Sequence, residues 1–449
     1  MHDLLFSRRY TQDCLDRLGP VLRRDQLKDL VDDLNRPGRK RLSRLWEVAI
    51  LDALSRLAPV RHEVPLPNGR KPDFAFDLPV EAGSVEVVGD ITCVSDSGLD
   101  KDNPVAYFSQ ELARIARRKG VDPDRLAVRI AGKTEGKYRE SRMSLNLPSK
   151  GALVAVLKLG LGRFFAAVSK APDTQAATSI EQDDTVFTIA YNATQIASSI
   201  NYPSYDVAYS LEHNPLAAGL KDKADQLREA PHDCIRLVVV CDGDCNTLKQ
   251  TSSVGGHFTA RAIVEHFLRR TSTVDAVLLL PIREAWSPGR SVVSLDCALY
   301  RRVTAGRRPA LSDARHGALL DHLNTFLKLM PHPVLSAPNA AHQCNKTGFS
   351  YGLHGGYWQS GNILKVSSRQ ILEALAGLPS HGLPPPDAPA DSPLPPPDWQ
   401  EFFRDFLFGG KMISKVTVVP NDGTDDDTLE FEFTSPDAAT SPFRLPKSS

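Results

Sequence analysis

Two short runs of near-continuous apolar residues, 235–242 (IRLVVVCD) and 274–282 (VDAVLLLPI), restrict the folds open to this chain more than any other feature. Each has the length of a strand, and neither alternates apolar with polar residues, so each is expected to be covered on both faces. Between them ARAIVEHFLRR (260–270) carries helical spacing. Helix alternating with buried strand predicts a layered α/β sheet. The segment ahead of the first run, from position 214, reads as a helix with Leu216, Leu220 and Leu227 on one side. Lys223 falls on that same side, with Gln226 three residues further on.

A second stretch, 41–95, sets three acids among residues that belong in a core. RLSRLWEVAILDALSRLA reads as a helix in which Glu47 shares a face with Ile50, Leu51 and Leu54. PVRHEVPLPNGRKPDFAFDLP delivers Asp73 behind Pro72, and VEVVGDITCVS is an apolar strand that carries Asp90 and Thr92. Each acid has an ordinary explanation. Glu47 can lie at the edge of its stripe or pair with Arg44. Asp73 can be a turn residue after proline, and Asp90 can be exposed at a bulge after Gly89. Together they argue for more, because burying several unpaired carboxylates is costly and a hard divalent cation with oxygen ligands offsets that cost.

A helix Glu, then Pro-Asp, then (Asp/Glu)-x-Lys on the next strand is the signature of the PD-(D/E)xK nuclease superfamily. This chain resembles it at Glu47, Pro72-Asp73 and Asp90-Ile91-Thr92, and the 17 positions from Asp73 to Asp90 suit a hairpin with arms 74–78 and 85–94. The resemblance implies an α/β fold with a restriction-endonuclease-like mixed sheet core flanked by helices, a large insertion and a C-terminal appendage. It implies metal-dependent hydrolysis of DNA, with Mg2+ (or Mn2+) held by Asp73 and Asp90, Glu47 joining directly or through a water, and a role in restriction or antiviral defence. One position departs from the pattern: Thr92 stands where the family has lysine. Threonine carries no charge, so an active site here would draw its cation from another element. Lys223 is the expected source, with Gln226 one turn along to help position the attacking water. A lysine on such a stripe can equally snorkel to solvent or pair with a surface acid. The missing lysine also leaves open an inactive nuclease fold that serves as a nucleic-acid-binding or assembly module.

With 54 basic and 54 acidic residues the formal net charge is zero, so any DNA-binding surface must be a local patch. The run Arg36, Arg39, Lys40, Arg41, Arg44 is the candidate patch, with a plain solvated face as its alternative. A chain of 449 residues predicts two or three modules. The expected organisation is a helical segment at 1–40, core halves at 41–96 and 214–283 around an insertion at 97–213, and an extension at 284–380. A proline-rich linker at 381–398 and a small module at 399–449 complete it, and a protein partner for that module and a homodimer are both compatible with this layout. Seven irregularly spaced cysteines and a charged amino terminus are expected of a reduced, cytoplasmic chain, with no apolar run near the ~20 residues of a membrane span.

Four patterns are read as decoys. Gly348-Phe-Ser-Tyr-Gly352 matches a nucleophile elbow but has loop-like flanks in place of a strand and a helix. Cys234 and Cys241 alternate to opposite faces of one strand and so predict buried thiols, not a zinc site. Asp242 and Asp244, at a strand end, read as turn residues, as does the acidic run 422–427.

Overall fold

The computed structural model describes residues 4–81, 83–136, 142–182, 184–252, 257–287, 290–303, 309–345, 357–377, 398–421 and 426–437. Its architecture is mixed α/β, with twelve α-helices and five sheets among those residues. Helices α1 (Arg8–Leu18) and α2 (Arg24–Asn35) cover α3 (Arg39–Ser55). Gly19-Pro20 and Arg36-Pro37-Gly38 break the helices apart, and Gly38 takes φ +140°, a conformation open to glycine. The hairpin of β1 (Phe74–Val80) and β2 (Gly83–Val94) follows.

The chain then leaves the central sheet. Helix α4 (Val105–Arg118), strands β3 (Leu126–Ile130), β4 (Gly132–Glu135) and β5 (Arg142–Leu145), helix α5 (Lys150–Lys170) and strands β6 (Ala176–Gln182), β7 (Thr185–Tyr191) and β8 (Ser199–Asn201) form a unit with its own core. Its sheet runs β6-β7-β3-β8, and Phe108 of α4, Phe165 of α5 and Phe187 of β7 are buried in the shared core. Strand β6 falls in a stretch, AATSIEQ, whose composition is that of a polar loop. It is an edge strand whose outer residues face water, so its sequence lacks the apolar content that marks buried strands. Helix α5 is long and apolar enough by length and composition to cross a membrane, contrary to the reading of the sequence. One face of it, including Leu153, Leu157, Leu161 and Phe165, is buried in this core.

Helix α6 (Pro215–Gln226) returns the chain to the centre, followed by β9 (Ile235–Asp242), the short α7 (Asn246–Lys249), α8 (Ala260–Arg270) and β10 (Ala276–Leu280). Strands β11 (Ile282–Ser287) and β12 (Arg290–Leu295) form a hairpin, and β13 (Ala298–Arg301) closes the sheet on β10. SVVSLDCALYRRV therefore holds parts of two strands, divided at Asp296, whose side chain accepts from the Cys297 N–H. The central order is β1-β2-β9-β10-β13, with β2, β9 and β10 parallel and the two outer pairings antiparallel. All eight residues of β9 are buried, Arg236 and Asp242 among them, as a near-continuous apolar run leads one to expect. Alternate residues feed two cores. Phe74, Phe76, Val87, Ile91, Leu237 and Val239 meet α3, α9 (Asp313–Leu329) and α10 (Ala337–Asn345) on one face. Ala75, Val88, Val94, Val238 and Val240 meet α6 and α8 on the other.

The last unit corrects an expected boundary. Strands β14 (Tyr357–Ser360) and β15 (Ile363–Ser367) and helix α11 (Ser368–Leu375) precede the proline-rich stretch, whereas α12 (Asp398–Phe408), β16 (Ile413–Val419) and β17 (Thr428–Phe433) follow it. They share one sheet, β14-β15-β17-β16, so the linker lies within a module and does not separate two. Residues 381–397 of that linker, the Gly348-Phe-Ser-Tyr-Gly352 match and 422–425 of the acidic run lie outside the described residues. Asp426 accepts from the Arg369 N–H at the start of α11 at 3.0 Å, and Asp427 pairs with Arg9 at 2.7 Å.

Gly89 fixes the β1–β2 approach. A Cβ there would sit 2.0 Å from Phe74 Cζ, and that ring is itself buried in the core. Gly89→Ala is expected to cost about 1–3 kcal/mol, the usual range for overpacking a filled core. A urea midpoint equal to that of the parent protein would remove Phe74 as the constraint.

Candidate active site

Strand β1 begins at Phe74, paired with Gly89, so β2 loses that neighbour from Asp90 onward. Pro72 has no N–H with which to extend the ladder. The Asp73 side chain takes over, its Oδ2 accepting from the Ile91 N–H at 2.6 Å. The two strands part at this point, and both motif acids stand at the fork. On the other edge Asp90 remains paired in register with Val238 of β9. Asp90 is fully buried, and its Oδ2 has no hydrogen-bond partner.

Lys223 reaches the same place from α6. Its Nζ lies 2.5 Å from Asp90 Oδ1 and 3.9 Å from Asp73 Oδ2, and it donates to Gln226 Oε1 at 2.9 Å. Its side chain is 17% exposed, so the ammonium is held by these acids and is not snorkelling to solvent. Gln226 thus holds the lysine in place. Thr92 lies beneath α6, where a Cβ on Gly219 would be 3.3 Å from its Oγ1. Helix and strand are too close here for a long side chain at 92. Position 223, one turn on from 219, is where α6 can deliver a lysine over Asp90.

Glu47 enters from α3, on the opposite side of the sheet. Its Oε2 pairs with Arg44, the ordinary partner foreseen for it, and Arg44 also binds Asp33 at 3.0 Å. Its Oε1 is buried without a hydrogen bond and lies 3.8 Å from His62 Nε2. The basic run is correspondingly occupied. Lys40 pairs with Asp33 at 2.7 Å, Arg39 donates to the Ser97 carbonyl and Arg41 to that of Asn35. Three of its cations and Arg44 are therefore engaged within the chain.

The electrostatics follow from the crowding of the acids. Burial, then the charge of Asp73, pushes the Glu47 carboxyl above its ordinary range, with Arg44 and His62 opposing. Burial, then Asp73 again, pushes Asp90 up to about 9 against the pull of Lys223. Burial disfavours the Lys223 ammonium, but Asp73, Asp90 and Glu47 outweigh it and its pKa is raised. Both shifts favour the proton on each partner, for different reasons: Lys223 lies beside Asp73 and Asp90 and within the field of Glu47, whereas Asp90 is buried beside another acid with one ammonium to offset it.

Among the described residues no three His, Cys, Asp or Glu side chains converge closely enough to hold an ion by themselves. The expected three-acid ligand set is therefore not assembled. Asp73 and Asp90 do converge on Lys223, and Asp90 Oδ2 is a buried oxygen without a hydrogen-bond partner. Mg2+ commonly takes one or two carboxylates and fills its remaining positions with water and substrate oxygens. The pair fits that requirement without Glu47.

His62 escaped the reading of the sequence. Its ring is 3% exposed, and Nδ1 lies 2.6 Å from the Asp73 carbonyl oxygen. The only hint is its place eleven positions ahead of Asp73, on a segment that doubles back through an antiparallel bridge of Arg61 with Ala75. Asp242, by contrast, is a structural strand-end residue, accepting from the N–H groups of Asp244, Cys245 and Ile282. Cys234 and Cys241 are buried on opposite faces. Comparison with known proteins yields no relative: no family, no curated protein and no solved structure matches the chain.

Proposed function

We propose that the chain is a Mg2+- or Mn2+-dependent nuclease acting on DNA, built on a restriction-endonuclease-like core whose lysine comes from α6. One observation carries the reading: Lys223 Nζ sits 2.5 Å from Asp90 and 3.9 Å from Asp73, beside the strand position where Thr92 replaces the motif lysine. Asp73 and Asp90 would hold the metal, which when bound polarises a phosphoryl oxygen and lowers the pKa of a water nucleophile. Lys223 supplies positive charge beside the phosphate as negative charge develops on its oxygens. Gln226 holds that ammonium in place through its Oε1. Arg44 anchors Glu47 by one oxygen and leaves the other free to accept from a water. The strand fork gives phosphate access, since Asp73 is 20% exposed while Asp90 lies at the bottom.

A second reading has its own support. Arg44 pairs with Glu47 and Lys223 with Asp90, so the acids are partly neutralised within the chain, as an inactive fold that binds nucleic acid would need. Incubation of the purified protein with plasmid and single-stranded DNA separates the two. Cleavage with Mg2+ or Mn2+ and none in EDTA is the expected result. Binding without cleavage under every metal condition would favour the inactive fold.

A further inference from the structure

We infer that His62 is a positioning residue for the metal-binding carboxylate of Asp73, acting through a hydrogen bond from its Nδ1–H to the Asp73 carbonyl. The inference rests on the proposed metal site. A carbonyl oxygen can only accept, so the 2.6 Å contact requires the proton on Nδ1 and fixes which nitrogen faces Glu47. Nε2 then points at the Glu47 Oε1 that has no hydrogen bond, 3.8 Å away. One buried ring thereby touches the backbone of one motif acid and faces the side chain of another.

The surroundings hold His62 more firmly than a loop residue needs. Arg61 and Ala75 exchange backbone hydrogen bonds at 2.8 Å in both directions, locking the segment beside the start of β1. The buried Gln26 side chain of α2 donates to the His62 carbonyl at 2.9 Å. Glu63, the next residue, takes φ +51°, a left-handed conformation that costs a non-glycine residue free energy and persists only where the surroundings impose it. Asp73 itself sits where the strand ladder has ended. Its main chain has lost the regular pairing that would orient it, and its side chain must serve the Ile91 N–H with the same oxygen that faces Lys223. The imidazole contact on its carbonyl replaces the missing ladder bond. Outer partners of this kind typically change metal affinity by about 10- to 100-fold when removed.

Three variants test the role, with Mn2+ affinity read by electron paramagnetic resonance and fold checked by circular dichroism. His62→Ala is expected to weaken Mn2+ binding by about 10- to 100-fold. His62→Asn puts an amide N–H where Nδ1 was and is expected to recover most of the affinity, whereas His62→Gln puts its amide near Nε2 and is not. If the alanine protein fails to fold, the asparagine–glutamine comparison still decides. Equal affinities for those two, or a folded alanine protein that binds Mn2+ like the parent, would overturn the inference. A parent protein that binds Mn2+ without cutting DNA removes the nuclease reading and leaves this one standing on the affinities. A parent protein that binds no Mn2+ removes both.

Discussion

Asp90→Asn is expected to abolish metal-dependent cleavage, by about a thousandfold or more, which corresponds to ~4 kcal/mol of barrier. The same change is expected to raise the stability of the metal-free protein at alkaline pH. The carboxyl is fully buried, one oxygen has no partner, and Asp73 stands beside it. An acid whose folded pKa is raised to about 9 contributes stability that is fully present below its unfolded pKa, near 3.9, and lost as pH climbs towards 9. Asparagine keeps the shape and removes the ionisation. In EDTA the two proteins should therefore melt closest together near pH 4 and diverge as pH rises, the variant above the parent by several degrees. A domain of ~200 residues shifts by ~2–4 °C per kcal/mol. Loss of the Lys223 ion pair opposes this, but that lysine retains Asp73 at 3.9 Å and Gln226 at 2.9 Å. Undiminished cleavage by Asp90→Asn would remove the metal assignment. A variant that melts below the parent at pH 8.5 would mean that the ion pair outweighs burial.

What could be read from the chain depended on how local the physics was. Strands β9 and β10 were legible because a doubly covered strand has no polar face, so its composition alone identifies it. Lys223 was legible because a lysine among Leu216, Leu220 and Leu227 must point its stem at the sheet, and all three leucines are fully buried. Strand β6 was not, since an edge strand with water on one side resembles a polar loop. The division at the proline-rich stretch misled for a different reason: composition marks where core-forming residues are missing, not which strands pair across the gap. The arrangement around Glu47 depends on long-range partners. Arg44 was visible three residues away, but its second acid, Asp33, belongs to another helix, and His62 reaches the site only through the bridge at Ala75. Nothing local announces a histidine that acts through a carbonyl eleven positions on.

Lys223→Ala is expected to lower cleavage by about 100- to 1,000-fold with little change in DNA affinity, the usual loss when one donor to a developing anion is removed. Lys221→Ala is the control, because Lys221 is 53% exposed and its ammonium lies 3.9 Å from Glu212, away from the acids. The close approach of α6 to β2 supplies a sharper test. A Cβ on Gly219 would meet Val94 Cγ1 at 3.0 Å and Thr92 Oγ1 at 3.3 Å, so the helix backbone already fills the space above position 92. Restoring the motif lysine there in the Lys223→Ala background should not restore activity. The longer side chain must push the helix outward, carrying Gln226 with it, and the expected cost is about 1–3 kcal/mol of stability. Lys223→Arg should also fail to substitute fully. Its planar fork is larger than an ammonium, and the side chain it replaces is held between Asp90, Asp73 and Gln226. Recovery of cleavage by Thr92→Lys in the Lys223→Ala protein would show that position 92 can still serve and that α6 does not exclude it. Small, equal effects of Lys223→Ala and Lys221→Ala would instead make Lys223 a structural counter-ion for Asp90 and favour the inactive fold.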